Sequence, residues 1–289
     1  CIRDRSSIIW LASYPKSGNT WVRAFLQNYL DAGDRPSDIN ELDRYFADES
    51  KPNWYSPHTS AQLAELSVAE ICSLRPLVHR DIAASRPGSV IVKTHNLLGE
   101  YNGRPLHEMS VTAGAIYVVR NPLDVVVSVA DHFGLSIDAA IEFVNSETTG
   151  SPTDEANVAS VLSSWSTHVR SWVDGGGDAA TVLRYEDMLA KPVKVFGALV
   201  RFLGLKRDDA RLRQAVRFSS FGELRKQERK RGFIERSPNS NTFFRSGRKD
   251  QWRTALSKDQ AGRIVATNGD VMRQFGYLQG DATRNRSKR

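Results

Sequence analysis

Apolar residues along this chain follow two periods in turn. Residues 8–12 are an unbroken apolar run, the pattern of a strand buried on both faces. Trp21, Phe25, Leu26, Tyr29 and Leu30 then recur at steps of three and four, which predicts an amphipathic helix stopped by Gly33. The alternation continues. Residues 90–95, 115–119 and 180–184 read as further strands, each with an apolar run. Helices are predicted within 58–86, from Asn121 through Phe133 to Gly134, early in 135–153, over 155–173, 192–202 and 208–217, and from Ser220. Ser67 with Glu70 and Ser257 with Gln260 have the spacing of capping boxes. Residues 34–57 are polar and irregular, with Tyr45, Phe46, Trp54 and Tyr55 interspersed, and predict a functional or partly helical loop. Strands separated by helices predict a single α/β domain, a central parallel sheet flanked by helices. Its expected extent is 1–280, with 281–289 as a flexible basic tail.

Length and composition sharpen this picture. At 289 residues and 40% hydrophobic content, the chain can bury one large core. No apolar stretch approaches the ~20 residues that span a bilayer, so no membrane association is expected. The two cysteines, Cys1 and Cys72, make no disulfide framework and fit a reducing cytoplasm, with Cys72 expected in the core. A first residue of Cys1 in place of Met suggests that an upstream segment is missing. The net charge is +7, with basic clusters at 225–231 and 284–289. These read as a solvated helix face and a tail, so no nucleic-acid partner is expected; a multiply anionic nucleotide would also favour such charge.

The chemistry starts between the first strand and the first helix, at Tyr14-Pro15-Lys16-Ser17-Gly18-Asn19-Thr20-Trp21. A tight loop there aims free backbone N–H groups and the positive end of the helix at one point, which favours an anion. Lys16 adds charge, Ser17 and Thr20 add hydroxyls, and Gly18 allows close approach. The order is not Walker A, because Lys16 precedes the glycine. Lys93, Thr94 and His95 end the second strand, where open α/β sheets place their chemistry, and Lys93 and His95 share a side. The third strand runs into Arg120, and Asn121, Pro122 and Asp124 suit the start of the next helix. Trp165, His168 and Trp172 lie at helical spacing and read as core.

These strings resemble the sulfotransferases that use PAPS (3′-phosphoadenosine 5′-phosphosulfate) over roughly residues 8–276. The first loop is similar to their 5′-phosphosulfate loop, with Asn19 where Thr is usual, a variant similar to bacterial members. By this resemblance Lys16, Ser17, Gly18, Asn19, Thr20 and Trp21 hold the cofactor, His95 is the general base and Lys93 helps to bind the sulfuryl group. Arg120 to Ser128 resembles the 3′-phosphate motif Arg-Asn-Pro-x-Asp-x-x-x-Ser, whose Arg and Ser bind that phosphate; Ser128 would also help to gate Lys16. Tyr185 corresponds to an adenine contact, Ser219 to a Thr that bonds adenine, and Phe221 to a ring that sandwiches it with Trp21. Phe244, Arg245, Ser246 and Gly247 fall in a segment similar to Arg-Lys-Gly-x-x-Gly-Asp-Trp, in which Ser246 replaces Lys and Asp250-Gln251 replaces Gly-Asp.

The resemblance implies transfer of a sulfuryl group from PAPS to a hydroxyl or amine, leaving PAP, with no metal. The acceptor would be a small molecule or natural product, with residues 45–55 and 133–153 lining its pocket. The family's dimer motif is not recognisable after Trp252, which leaves the oligomeric state open. The alternative is a P-loop small-molecule kinase, which calls for the Walker A order and an acidic metal ligand where Arg120 stands. A polyanion-binding protein would leave Lys93-Thr94-His95 unexplained.

Overall fold

The structure is a computed structural model that describes residues 6–278. The basic cluster at 284–289 and Cys1 lie outside the described residues. Five parallel strands form the central sheet: β1 (Ser7–Ser13), β2 (Phe46–Asp48), β3 (Ser89–Thr94), β4 (Thr112–Val119) and β5 (Ala180–Arg184). Their order across the sheet is β2-β3-β1-β4-β5, so β1 is central and its carboxyl end opens at the middle of one edge.

Alternation along β1 explains the layers. Trp10 and Ala12 face one side with Val90, Val92, Tyr117 and Val119. Helices α2 (Val68–Ala84), α3 (Pro122–Phe133), α4 (Ile137–Asn145), α5 (Trp165–Gly175) and α10 (Lys258–Gln274) cover that side. Leu11, Ile116, Val118 and Leu183 face the other, under α1 (Asn19–Asp31), α7 (Pro192–Phe202) and α8 (Asp209–Phe218). Of two more helices, α6 (Tyr185–Ala190) follows β5 directly, and α9 (Phe221–Arg231) follows α8. A single α/β domain with a central parallel sheet is therefore what the chain forms.

Caps set most of the boundaries. Asn121 accepts from the Leu123 N–H with Pro122 next, and Gly134 ends α3 in the left-handed region. Both expected capping boxes are present, at Ser67 and at Ser257. One boundary departs from the expectation. The helix expected over 155–173 begins only at Trp165, because Ser163 has φ 62 and Ser164 caps the helix by accepting from Thr167. The polar run 34–57 is partly helical as expected, over Ile39–Arg44 and Pro52–Tyr55, and it also contributes the edge strand β2, paired to β3 from Phe46 to Asp48; Tyr55 is wholly buried in the core. Three residues, two of them apolar, are too few for a strand period to show.

Behind β3 a buried carboxylate holds the sheet edge together. Glu49 accepts from Arg75 Nη1 at 2.7 Å, His79 Nε2 at 2.9 Å and Asn96 Nδ2 at 2.7 Å, and also from the Thr94 hydroxyl. Burial alone would raise the Glu49 pKa; the Arg75 charge and then His79 more than offset this and hold it far below the usual range. A depressed carboxylate contributes stability above its unfolded pKa of about 4.3, and that contribution is lost as pH falls through the native value. Glu49→Gln should therefore cost about 3–5 kcal/mol at pH 7, because it strands buried Arg75, and the difference from wild type should shrink in acid. Urea titrations at pH 7 and pH 4 would measure both; equal midpoints at pH 7 would refute the role.

Candidate active site at the carboxyl edge of the sheet

The loop leaving β1 is built to hold an anion. Lys16 (φ 66) and Gly18 (φ 112) both have left-handed backbone, which turns successive N–H groups inward. A Cβ on Gly18 would stand 2.9 Å from the Tyr185 ring, so only glycine fits. Ser17 Oγ is buried and lacks a protein hydrogen-bond partner, which fits a ligand oxygen seated there. Thr20 Oγ1 accepts from Arg23 Nη2 at 3.1 Å. The Asn19 side chain turns away from the loop, donating to Leu11 O at 2.9 Å and accepting from Arg23 Nε, so it braces the fold and leaves only its backbone N–H to the site.

Arg120, at the end of β4, joins the separate pieces. Its Nη1 donates to Lys16 O at 3.0 Å, its Nη2 reaches Arg248 O at 3.4 Å, and the guanidinium lies 4.4 Å over the Tyr185 ring. Asp124, in the first turn of α3 as expected, also accepts from Asp250 N at 2.8 Å and Trp252 N at 3.0 Å. It thereby docks the 245–252 segment onto α3. Asp250 sits at φ 63, keeping the left-handed turn at the position where the similar pattern has Gly. Gly247 has φ 60, and a Cβ there would fall 2.2 Å from the Phe221 ring. Phe244 is buried beside Phe221 and Phe233, Ser246 is half-buried, and exposed Arg245 donates to Gln251 Oε1 at 3.0 Å. Trp21 meets Tyr185 edge-on at 5.7 Å. Ser219 is buried with its hydroxyl donating to Ala215 O at 2.8 Å, and Ser128 is half-buried on α3.

His95 lies just past β3. Its Nδ1 is 2.8 Å from Ser13 O, and since a carbonyl only accepts, Nδ1 carries the proton. Nε2 is thus the unprotonated nitrogen. Behind it, His168 Nε2 donates to His95 O at 3.0 Å, and Tyr117 OH donates to His168 Nδ1 at 2.9 Å. Burial, then the Lys93 charge, push His95 down to about 4, so the ring is neutral at pH 7. Lys93 pairs with Asp48 at 2.8 Å, in cross-strand register between β3 and β2. Burial, then the Arg120 charge, lower Lys16 to about 8.

Several residues here gave no signal in the sequence. Asp48 ends an unrecognised strand and Glu49 follows it. Glu235 forms a paired contact with Arg23 at 2.6 and 2.7 Å across 212 residues of chain, which no local spacing reveals. His132 Nδ1 lies 3.2 Å from Lys16 Nζ, although Ser128 was the expected neighbour of that lysine. Its position four residues beyond Ser128, on the same helix face, was the available clue.

With this geometry in place, comparison gives the class. The chain matches the Sulfotransferase domain family over residues 6–276 and belongs to it. It is 28% identical over 226 residues to "Sulfotransferase 1B1" of Canis lupus familiaris, a match covering 75% of this chain and 66% of that protein, which is just under two thirds of its length. Two similar solved structures share the fold. Mouse sulfotransferase SULT7A1 complexed with PAP superposes with a TM-score of 0.62 at 22% identity, covering 94% of this chain and 86% of that one. Retinol dehydratase in a complex with retinol and PAP gives 0.61 at 17% identity, covering 94% and 82%. The chain is therefore a member of the sulfotransferase family. No helix among the described residues is long and apolar enough to cross a membrane, and no metal-holding group of His, Cys, Asp and Glu occurs among them.

The lowered Lys16 pKa is directly measurable. Its amine should be free in half the molecules near pH 8, some two units below an ordinary lysine. Trace acetylation across pH 6–11, read by peptide mass spectrometry, should give Lys16 a midpoint near 8. A midpoint at or above 10 would show that burial and Arg120 do not act as described.

Proposed function

We propose that this protein transfers the sulfuryl group of PAPS to a hydroxyl or amine of a small-molecule acceptor, with His95 as general base. The observation that carries this reading is the His95 tautomer: Nδ1 is tied to Ser13 O, which leaves Nε2 bare beside the loop that carries Lys16. PAPS supplies the sulfuryl group; every other part of the reaction falls to side chains of this chain. Lys16, Ser17, Gly18 and Thr20 would hold the 5′ end, and Arg120, Ser128 and Arg245 the 3′-phosphate. Arg suits the second task because its planar fork meets two oxygens at once. Trp21, Tyr185, Phe221 and Phe244 offer faces or edges to adenine, with Ser219, Ser246 and Gly247 shaping the same segment.

In the reaction, His95 Nε2 takes the acceptor proton and the tie to Ser13 keeps the ring aimed while the imidazolium forms. Lys16 stabilises charge on the bridging oxygen, and Lys93 adds positive potential alongside, moderated by Asp48. Phosphoryl transfer is disfavoured, because β4 is followed by Arg120 where a kinase needs an acidic metal ligand. PAP complexes among structures of the same fold, and retinol or androsterone bound in retinol dehydratase, support a nucleotide donor and a small acceptor here.

His95→Ala should lower kcat by ~10²-fold or more with nucleotide affinity held. Because the native His95 pKa is depressed, the base stays unprotonated well below pH 6.5, and kcat/KM should fall only as pH approaches about 4. An acid limb near 6.5, or near-normal turnover by His95→Ala, would remove the assignment.

The donor has its own test. A charge-assisted contact is worth ~1.5–3 kcal/mol, and ~1.4 kcal/mol is tenfold, so two arginines should favour nucleotides bearing a 3′-phosphate by roughly 10²-fold or more. Arg120→Ala should erase most of that preference. Calorimetric titration of adenosine 3′,5′-bisphosphate against adenosine 5′-phosphate would decide; equal wild-type affinities would contradict the donor.

A further inference from the structure

Lys16 already has a seat, and it is not the anion loop alone. Its Nζ lies 3.2 Å from His132 Nδ1 and 4.0 Å from the centre of the Phe243 ring. His132 comes from the last turn of α3, and Phe243 from the segment after α9. Lys16 is charged at neutral pH, so its ammonium donates and His132 Nδ1 accepts, which places the imidazole proton on Nε2. The imidazole must be neutral to accept. Burial, followed by the Lys16 charge, lowers the His132 pKa to about 4, and His95 and Lys93 act the same way while Glu235 opposes them. Asp131 also acts on Lys16, raising its pKa. Phe133 and Phe243 meet the His132 ring edge-on at 4.8 and 6.2 Å and fix its plane.

The geometry points to His132 as a positioning residue that seats the Lys16 ammonium, so that nucleotide binding exchanges this hydrogen bond for one to the 5′ end of the donor. The inference rests on the donor reading above. It follows that the seat competes with the nucleotide. Part of what Lys16 gains from an incoming 5′-phosphate is offset by what it gives up at His132. Ser128, half-buried one turn earlier, is left free to serve the 3′-phosphate.

The test is calorimetric titration of adenosine 3′,5′-bisphosphate and of adenosine 3′-phosphate into wild type, His132→Ala and His132→Asn. Asn places a carbonyl oxygen close to the position of Nδ1 and keeps the acceptor. Removing the competing bond should tighten bisphosphate binding by His132→Ala, by up to roughly tenfold. His132→Asn should stay near wild type, and the 3′-phosphate alone should bind all three proteins equally. A residue that only supports the fold would weaken binding when removed, which is the opposite sign. The Lys16 trace-acetylation midpoint gives a readout that needs no nucleotide. Loss of an acceptor for the charged form should lower that midpoint in His132→Ala and not in His132→Asn. Unchanged or weaker bisphosphate binding by His132→Ala, with normal binding by wild type, overturns the exchange. An unmoved midpoint overturns the seat itself. Failure of wild type to bind the bisphosphate sinks the donor reading and the exchange, and the midpoint still decides the seat.

Discussion

Four cations crowd the carboxyl edge of this sheet, and each must be stabilised out of bulk water before any anion arrives. An unpaired buried charge costs several kcal/mol, so partners are obligatory. Three of the four have strong ones. Lys93 has Asp48 in cross-strand register, Arg23 has both oxygens of Glu235, and Arg120 has two backbone carbonyls and the Tyr185 face. Lys16 has only a neutral imidazole and an aromatic ring. Burial, then the Arg120 charge, depress its pKa, and Asp131 and Glu235 offset this only in part. The same ranking orders the site mechanically: Arg23 is held most firmly, by both oxygens of Glu235, and Lys16 is held least.

Backbone conformation concentrates at the same edge. Lys16, Gly18, Gly247 and Asp250 all have positive φ, two of them without the freedom of glycine. Left-handed backbone at a non-glycine residue costs of order 1–2 kcal/mol and persists where surroundings impose it. Here the imposing contacts can be named. Arg120 holds the Lys16 carbonyl, and Asp124 holds the N–H groups of Asp250 and Trp252. Arg120 precedes α3 and Asp124 lies in its first turn, so one strand-to-helix junction fixes two turns drawn from opposite ends of the chain.

Much of this was legible in the sequence, for physical reasons. Elements longer than about five residues carry enough apolar repeats to show their period, so β1, β3, β4 and most helices could be read. Local capping chemistry at Ser67, Asn121, Ser220 and Ser257 marked helix starts because a cap is a contact within three residues. What could not be read depends on contacts across long separations. β2 is three residues long, and its assignment depends on pairing with β3. Glu235, His132 and Asp124 acquire their roles from partners about 110–210 residues away. The start of α5 was misplaced because helical spacing from Val158 to Trp172 is blind to the left-handed turn at Ser163. Motif order placed Lys16, Arg120 and Arg245 in one site; it could not say that the resting lysine meets an imidazole.

The way His95 is held sets the conditions under which it can act as a base. Many catalytic histidines are oriented by a carboxylate, which fixes the tautomer and also stabilises the protonated ring. Here the partner of Nδ1 is the carbonyl of Ser13, and the backbone carbonyl of His95 accepts from His168, itself oriented by Tyr117. Carbonyl and neutral-ring partners supply orientation with little added negative charge. Lys93 nearby disfavours the imidazolium further. The ring therefore stays unprotonated across neutral pH, at the expense of weaker intrinsic basicity. That balance suits the proposed reaction, in which Lys16 would stabilise the leaving group and proton removal by His95 need not run ahead of bond breaking. The two side chains come from just past the ends of adjacent strands, β1 and β3, whose parallel register sets the spacing of their backbones.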